Sequence, residues 1–199
     1  MARPRRVADG AVLDAAARLI GRVGPRRLTL AHVAEECGLS PATLLQRFGS
    51  KRGLLLAVTR RPPDLGAIFA APAPTRCEAL VAALVALTAS VRTPEAMANN
   101  LAFLQLDLAD EEFRAEAVAF FAALSGHVSA LLEQAIAAGE LEGIEADALA
   151  ETVLTAYNGA LITWAVLREG PLEDWLRRRI EAVLAPYRQS TRRPVSSVE

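Results

Sequence analysis

Residues Thr29 to Arg52, TLAHVAEECGLSPATLLQRFGSKR, constrain this chain more than any other stretch. They spell two short helices and a tight turn. Thr29 is an N-cap residue for a helix reaching Cys37, because its hydroxyl can accept from a free N–H of the first turn. Gly38 follows, and glycine takes a positive φ without steric cost. Ser40 then caps a second helix, with Pro41 at the first helical position, where a missing N–H costs nothing. Leu44 and Phe48 lie four apart and share a face, toward which Val33, Ala34 and Leu39 point. Ser50 caps a further helix, Lys51 to about Arg60. A helix pair of this shape can set its second member in the major groove of DNA.

The residues left on the outer face of that second helix have base-reading chemistry. Gln46 can pair bidentately with adenine and Arg47 with guanine, while Thr43 offers a hydroxyl and a methyl and Ala42 leaves room. Thr29 and Lys51 stand at helix N-termini, where backbone N–H groups favour an anion such as phosphate. Arg5 and Arg6, with Arg3, form a basic arm able to follow the backbone or enter the minor groove.

Charge supports the same division of labour. The formal net charge is −1 over 199 residues, yet residues 1–61 sum to +8 and residues 62–199 to −9. A basic first third is the footprint of a nucleic-acid binder. We therefore expect residues 1–61 to be an arm plus a DNA-binding domain with its motif at about 29–48. Residues 62–74, rich in Pro and Ala, read as a linker, and 75–199 as a larger helical domain ending in a frayed tail. Hydrophobic residues make up 52% of the chain, mostly Ala and Leu with few aromatics, which favours helices packed on helices. The expected fold class is all-α.

Ahead of the motif, Val12, Leu13, Ala16, Leu19, Ile20 and Val23 make one face of a helix that Gly24-Pro25 ends. Beyond residue 75 the expected helices run to about Val91, from Pro94 to about Leu108, from about Glu111 to Ala138, from Ala146 to Arg168, and from Leu172 to Tyr187.

Residues 7–58 resemble the N-terminal domain of the TetR family of transcriptional regulators, through VLDAAARLIGRVGPRRLTLAHVAEECGLSPATLLQRFGSKRGLLLAV at family spacing. The resemblance implies that Thr29, Thr43 and Lys51 contact the DNA backbone. It also puts Pro41, Ala42, Gln46 and Arg47 on or beside the base-reading surface. The family usually has a tyrosine where this chain has Leu45. The resemblance further implies a homodimer on a near-palindromic stretch of double-stranded DNA. It implies a repressor released by a small-molecule effector. No signal peptide opens the sequence and no uncharged run is longer than Thr152 to Leu167, which is shorter than a membrane span needs, so a cytoplasmic protein is expected.

A tight Gly170-Pro171 turn joins the last two helices, and two such pairs about a twofold axis would form a four-helix bundle. Tyr157, Gly159, Leu161, Ile162, Val166, Ile180 and Leu184 are the expected interface residues. Polar residues set in apolar helices mark an effector pocket: Asn99, Asn100, Gln105, His127, Tyr157, Asn158 and Trp164. Few charges sit on those helices, so a largely apolar effector is expected.

No cofactor, metal site, catalytic group or membrane partner is expected. The two histidines, His32 and His127, fall in different domains, and Ser125-Gly126 lacks the glycine that a nucleophile elbow needs. Cys37 and Cys77 have apolar neighbours and read as small buried residues. The alternative to a regulator is a helical ligand-binding or interaction protein with a degenerate DNA-reading head, a reading that Leu45 motivates.

Overall fold

The computed structural model describes residues 7–91 and 93–189, and among these it contains no strand. The helices are α1 (Asp9–Arg27), α2 (Leu30–Cys37), α3 (Pro41–Phe48), α4 (Lys51–Thr59), α5 (Leu65–Phe69), α6 (Arg76–Ala86), α7 (Pro94–Ala109), α8 (Glu111–Ala137), α9 (Ala146–Leu167) and α10 (Leu172–Leu184), with a 3-10 turn at Ala185–Tyr187. The all-α fold class expected from composition is observed.

The chain divides into two compact units. The first holds the described residues up to Asp64 together with Leu87–Ala123 and Ile162–Arg168. The second holds Leu65–Ala86, Leu124–Leu161 and the described residues from Glu169 onward.

In the first unit α1 packs along α7 and against α2 and α4. Its apolar face, Val12, Ala16, Leu19 and Ile20, is buried with Leu28, Val33, Ala34, Leu44, Leu54 and Leu55. Each such leucine or isoleucine side chain is worth about 1.5–3 kcal/mol when removed from water. The expected helix end at Gly24-Pro25 is a kink: Gly24 leaves the helical region at φ 78°, ψ 160°, and one more turn follows to Arg27. Asn99 on α7 fastens the kink by donating to the Gly21 carbonyl at 2.8 Å. Arg52 on α4 lies over the Phe113 ring and makes two bonds, of 2.8 and 2.7 Å, to the Asp110 carboxylate at the head of α8.

In the second unit α6 packs against α5 and α10. The Trp175 indole donates to the Ala160 carbonyl at 3.0 Å, and the Arg179 guanidinium covers its ring. Glu140 accepts from the N–H groups of Arg76 and Cys77 at 2.8 and 2.9 Å, so its carboxylate caps α6 alongside Thr75, which accepts from Glu78. Burial opposes ionisation of Glu140, but the bonds from Cys77 and Arg76 outweigh it and hold the carboxyl below its usual value. The same burial, with the Glu140 charge, pushes the Cys77 thiol up to about 11, and burial also raises Cys37, so both stay protonated.

Three further expectations differ from what is observed. The helix expected to reach about Val91 ends at Ala86. The stretch 62–74 contains α5, whose Leu65 and Phe69 are buried, so it is a packed segment at that point. Arg188 and Gln189, expected in a frayed tail, are paired: Arg188 forms an antiparallel bridge with Leu141, and the Gln189 N–H donates to the Glu140 carbonyl at 3.3 Å. The length and apolar composition of α8 would suffice to cross a membrane. Its Phe113, Leu124, Val128, Leu132 and Ala135 are nevertheless buried within the protein.

Candidate nucleic-acid interface

The α2–α3 pair forms as local chemistry dictates. Thr29 Oγ1 accepts from the His32 N–H at 3.2 Å and Ser40 Oγ from that of Thr43 at 3.2 Å, so each helix start is capped by its own side chain. Gly38 turns the chain at φ 64°, ψ 33°, and the Leu39 N–H returns to the Ala34 carbonyl at 2.8 Å. Ser50 caps α4 through the Gly53 N–H at 2.9 Å. Glycine is required at 53, because a Cβ there would stand 2.1 Å from the Phe48 carbonyl oxygen. Leu44 is fully buried against Val33 and Ala34, which fixes which face of α3 looks out.

That outer face carries Pro41, Ala42, Leu45 and Gln46, all exposed, with Thr43 half-buried at its edge. Leu45 is 52% exposed, a large apolar side chain presented on a reading surface. Thr29 is exposed at the α2 start. The two expected cations are engaged within the protein. Arg47 Nη1 donates to the Val7 carbonyl at 2.7 Å and to Asp9 at 3.2 Å, and the side chain is 21% exposed. Lys51 Nζ donates to the Arg26 carbonyl at 2.8 Å, closing the last turn of α1. Arg5 and Arg6 lie outside the described residues.

The first unit also holds a cavity of about 910 Å³ between α1, the end of α4, Ala89, Ser90 and Thr93, and α7. Of the expected pocket residues, Asn100 lines it. Asn99 and Gln105 instead tie α7 to α1, through Gly21 and Arg26 respectively. Among the second-unit residues, Asn158 is exposed and Tyr157 buried, its phenol pushed up by that burial. His127 stacks on Phe69 with ring centroids 5.3 Å apart. Trp164 is buried. The sequence reading missed Asp107, a cavity-lining carboxylate. Its signal was an acid between Leu106 and Leu108 with no base three or four residues away on its helix.

The expected interface set needs correction. Tyr157, Leu161, Ile180 and Leu184 are buried in the chain's own core, so they have little or no area to offer a second copy. Ile162 and Val166 are 45% and 74% exposed, and a Cβ at Gly159 would meet no atom within 4 Å.

Residues 12–58 match the family model described as bacterial regulatory proteins, tetR family. Two curated relatives are the HTH-type transcriptional regulators BetI of Rhizobium meliloti and Agrobacterium fabrum. They are 37% identical over 111 residues and 33% over 131 residues. The matches cover 52% and 62% of this chain and 54% and 63% of the relatives, so the chain spans between half and two thirds of their length. A regulator from Saccharomonospora viridis, solved in complex with choline, superposes with a TM-score of 0.74 at 20% identity, covering 92% of this chain and 98% of that one. A TetR transcription regulator from Haloarcula marismortui gives 0.73 at 19%, covering 91% and 98%. At these identities the solved structures establish the fold.

Proposed function

We propose, because residues 12–58 match the family model described as bacterial regulatory proteins, tetR family, that this chain is a sequence-specific DNA-binding transcriptional regulator rather than an enzyme. It works as a repressor released by a small molecule. The observation that carries this reading is the capped α2–Gly38–α3 pair, which buries Leu44 and turns Pro41, Ala42, Leu45 and Gln46 outward over the span that the family model matches.

In this reading residues 1–61 read DNA, with Gln46 and Arg47 addressing bases and Thr29, Thr43, Lys51, Arg5 and Arg6 addressing phosphates. Residues 75–199 bind the effector and a second copy. The homodimer sets two α3 helices in successive major grooves about 34–36 Å apart on a near-palindromic site. Gly159, Ile162 and Val166 on α9 supply the exposed face for pairing. A DNA target puts the protein in the cytoplasm. The choline complex of a protein with this fold supports a small-molecule effector. The effector acts by binding the released state more tightly than the DNA-bound one.

Selection of bound fragments from the source genome tests the proposal. The expected product is a near-palindromic site whose binding falls steeply with salt, as counterion release requires. Binding no tighter than to random duplex at low salt would refute it. That result would favour an interaction protein with a decayed reading head, the reading that exposed Leu45 supports.

A further inference from the structure

In the cavity of the first unit one ionisable group has no partner of opposite charge among the described residues. Four charged side chains apart from it line the space, and each has a partner of opposite charge elsewhere. Arg22 pairs with Glu36 at 2.7 Å, with Arg18 at 3.9 Å from the same carboxylate. Arg61 donates to Asp14 at 2.6 Å and to the Gly10 carbonyl at 2.8 Å. Glu95 pairs with Arg168 at 3.1 Å. Asp107 has no such partner: among the described residues its Oδ1 is the buried side-chain oxygen without a hydrogen bond. Burial pushes its carboxyl up from the ordinary value. A buried, unpaired polar atom is costly to keep and calls for an occupant.

The same cavity presents the rings of Phe103 and Phe120 with Leu104 and Ile20. Aromatic faces attract organic cations. The volume, about 910 Å³, is at the upper end of the range for drug-sized ligands, several times what a compact ammonium ion fills.

We propose that this cavity binds a drug-sized organic cation, with its positive centre on the Asp107 carboxylate and its apolar body against Phe103 and Phe120. The role of such a ligand as effector rests on the regulator reading, whereas the chemistry of the site rests on the cavity. An apolar body agrees with the few charges on these helices. Asp107 adds the requirement for one positive charge.

Tetraphenylphosphonium and tetraphenylborate, nearly equal in size and opposite in charge, are the probes. Titration calorimetry on the full chain should show the phosphonium binding at least tenfold more tightly than the borate. Asp107→Asn, which keeps the shape and removes the charge, should lower phosphonium affinity at least tenfold and narrow the gap. Equal binding of the two ions by the unaltered chain, binding of neither, or undiminished phosphonium binding by a folded Asp107→Asn would overturn the proposal. The comparison of ions on the unaltered chain needs no variant to fold. DNA binding without charge discrimination would overturn the cation site and leave the regulator standing. Discrimination without DNA binding would support the site and remove the regulator.

Discussion

Gly24→Ala is the substitution whose cost can be worked from the structure most directly. Gly24 lies at φ 78°, ψ 160°, a region that only glycine occupies without strain, so a side chain there costs about 1–3 kcal/mol. A Cβ would also stand 2.7 Å from Asn99 Oδ1. The far end of a side chain can usually swing away, but Asn99 is held by its bond to the Gly21 carbonyl. Swinging it breaks that bond, for about 1 kcal/mol. The two together give roughly 2–4 kcal/mol, or a fall in Tm of roughly 4–16 °C in a chain of this length. Urea unfolding followed by circular dichroism measures it. Asn99→Ala alone should cost about 1 kcal/mol. In that background Gly24→Ala should cost about 1 kcal/mol less than in the unaltered chain, since the clash is gone and the backbone strain stays. A cost below about 1 kcal/mol in the unaltered chain would refute the kink's need for glycine. Strict additivity of the two substitutions would refute the clash.

Other substitutions separate electrostatic from packing roles. Arg52→Gln should lower Tm by a deficit that is full above about pH 4, where Asp110 is ionised even when unfolded. The bond from Arg52 holds the folded Asp110 carboxyl below that value, so the deficit should vanish only as pH falls further, in melts run across the acid range. Glu140→Ala should cost about 1–2 kcal/mol in urea unfolding, through loss of the carboxylate that caps α6. In binding assays Lys51→Ala should weaken all duplexes alike and reduce the salt slope by about one. Gln46→Ala should cost about 1–3 kcal/mol on the preferred site and little on others.

What the sequence carried was mostly what depends on neighbours within four residues. Thr29, Ser40 and Ser50 cap the helices expected of them, and Thr75 and Thr93 cap theirs in the same way, because an N-cap is decided by one hydroxyl and the N–H three residues on. The outer face of α3 followed from Leu44 and Phe48 in the same way. Helix α5 was missed because its five residues sit among prolines and alanines that look like linker, while Leu65 and Phe69 find partners only in the folded chain. Asn99 and Asn100 are adjacent and alike, yet the first fastens α7 to α1 and the second lines the cavity. Periodicity likewise found the apolar faces of α9 and α10. It could not say that Ile180 and Leu184 are used up within the chain while Ile162 and Val166 remain exposed.

That limit bears on the reading head, where Arg47 and Lys51, two of the cations expected at DNA, are occupied by partners far off in sequence. Donor counting shows what occupation costs. An ammonium has three N–H donors and a guanidinium five. Lys51 spends one on the Arg26 carbonyl, so two remain for a phosphate without any movement. The bond also fixes the flexible side chain before DNA arrives, removing part of the entropy a lysine contact otherwise loses. Arg47 spends both hydrogens of Nη1, on Val7 and Asp9, and keeps those on Nη2 and Nε. A bidentate contact to guanine therefore has to come from that remaining edge, or else Nη1 must be released first. Asp9 makes the second route costly, because freeing the guanidinium leaves a carboxylate near an incoming polyanion. Asp9→Asn separates the routes. If Arg47 reads through its free edge, removing the acid should strengthen binding to every duplex about equally. If Arg47 must swing out, the gain should fall on the preferred site, and selectivity should rise with it.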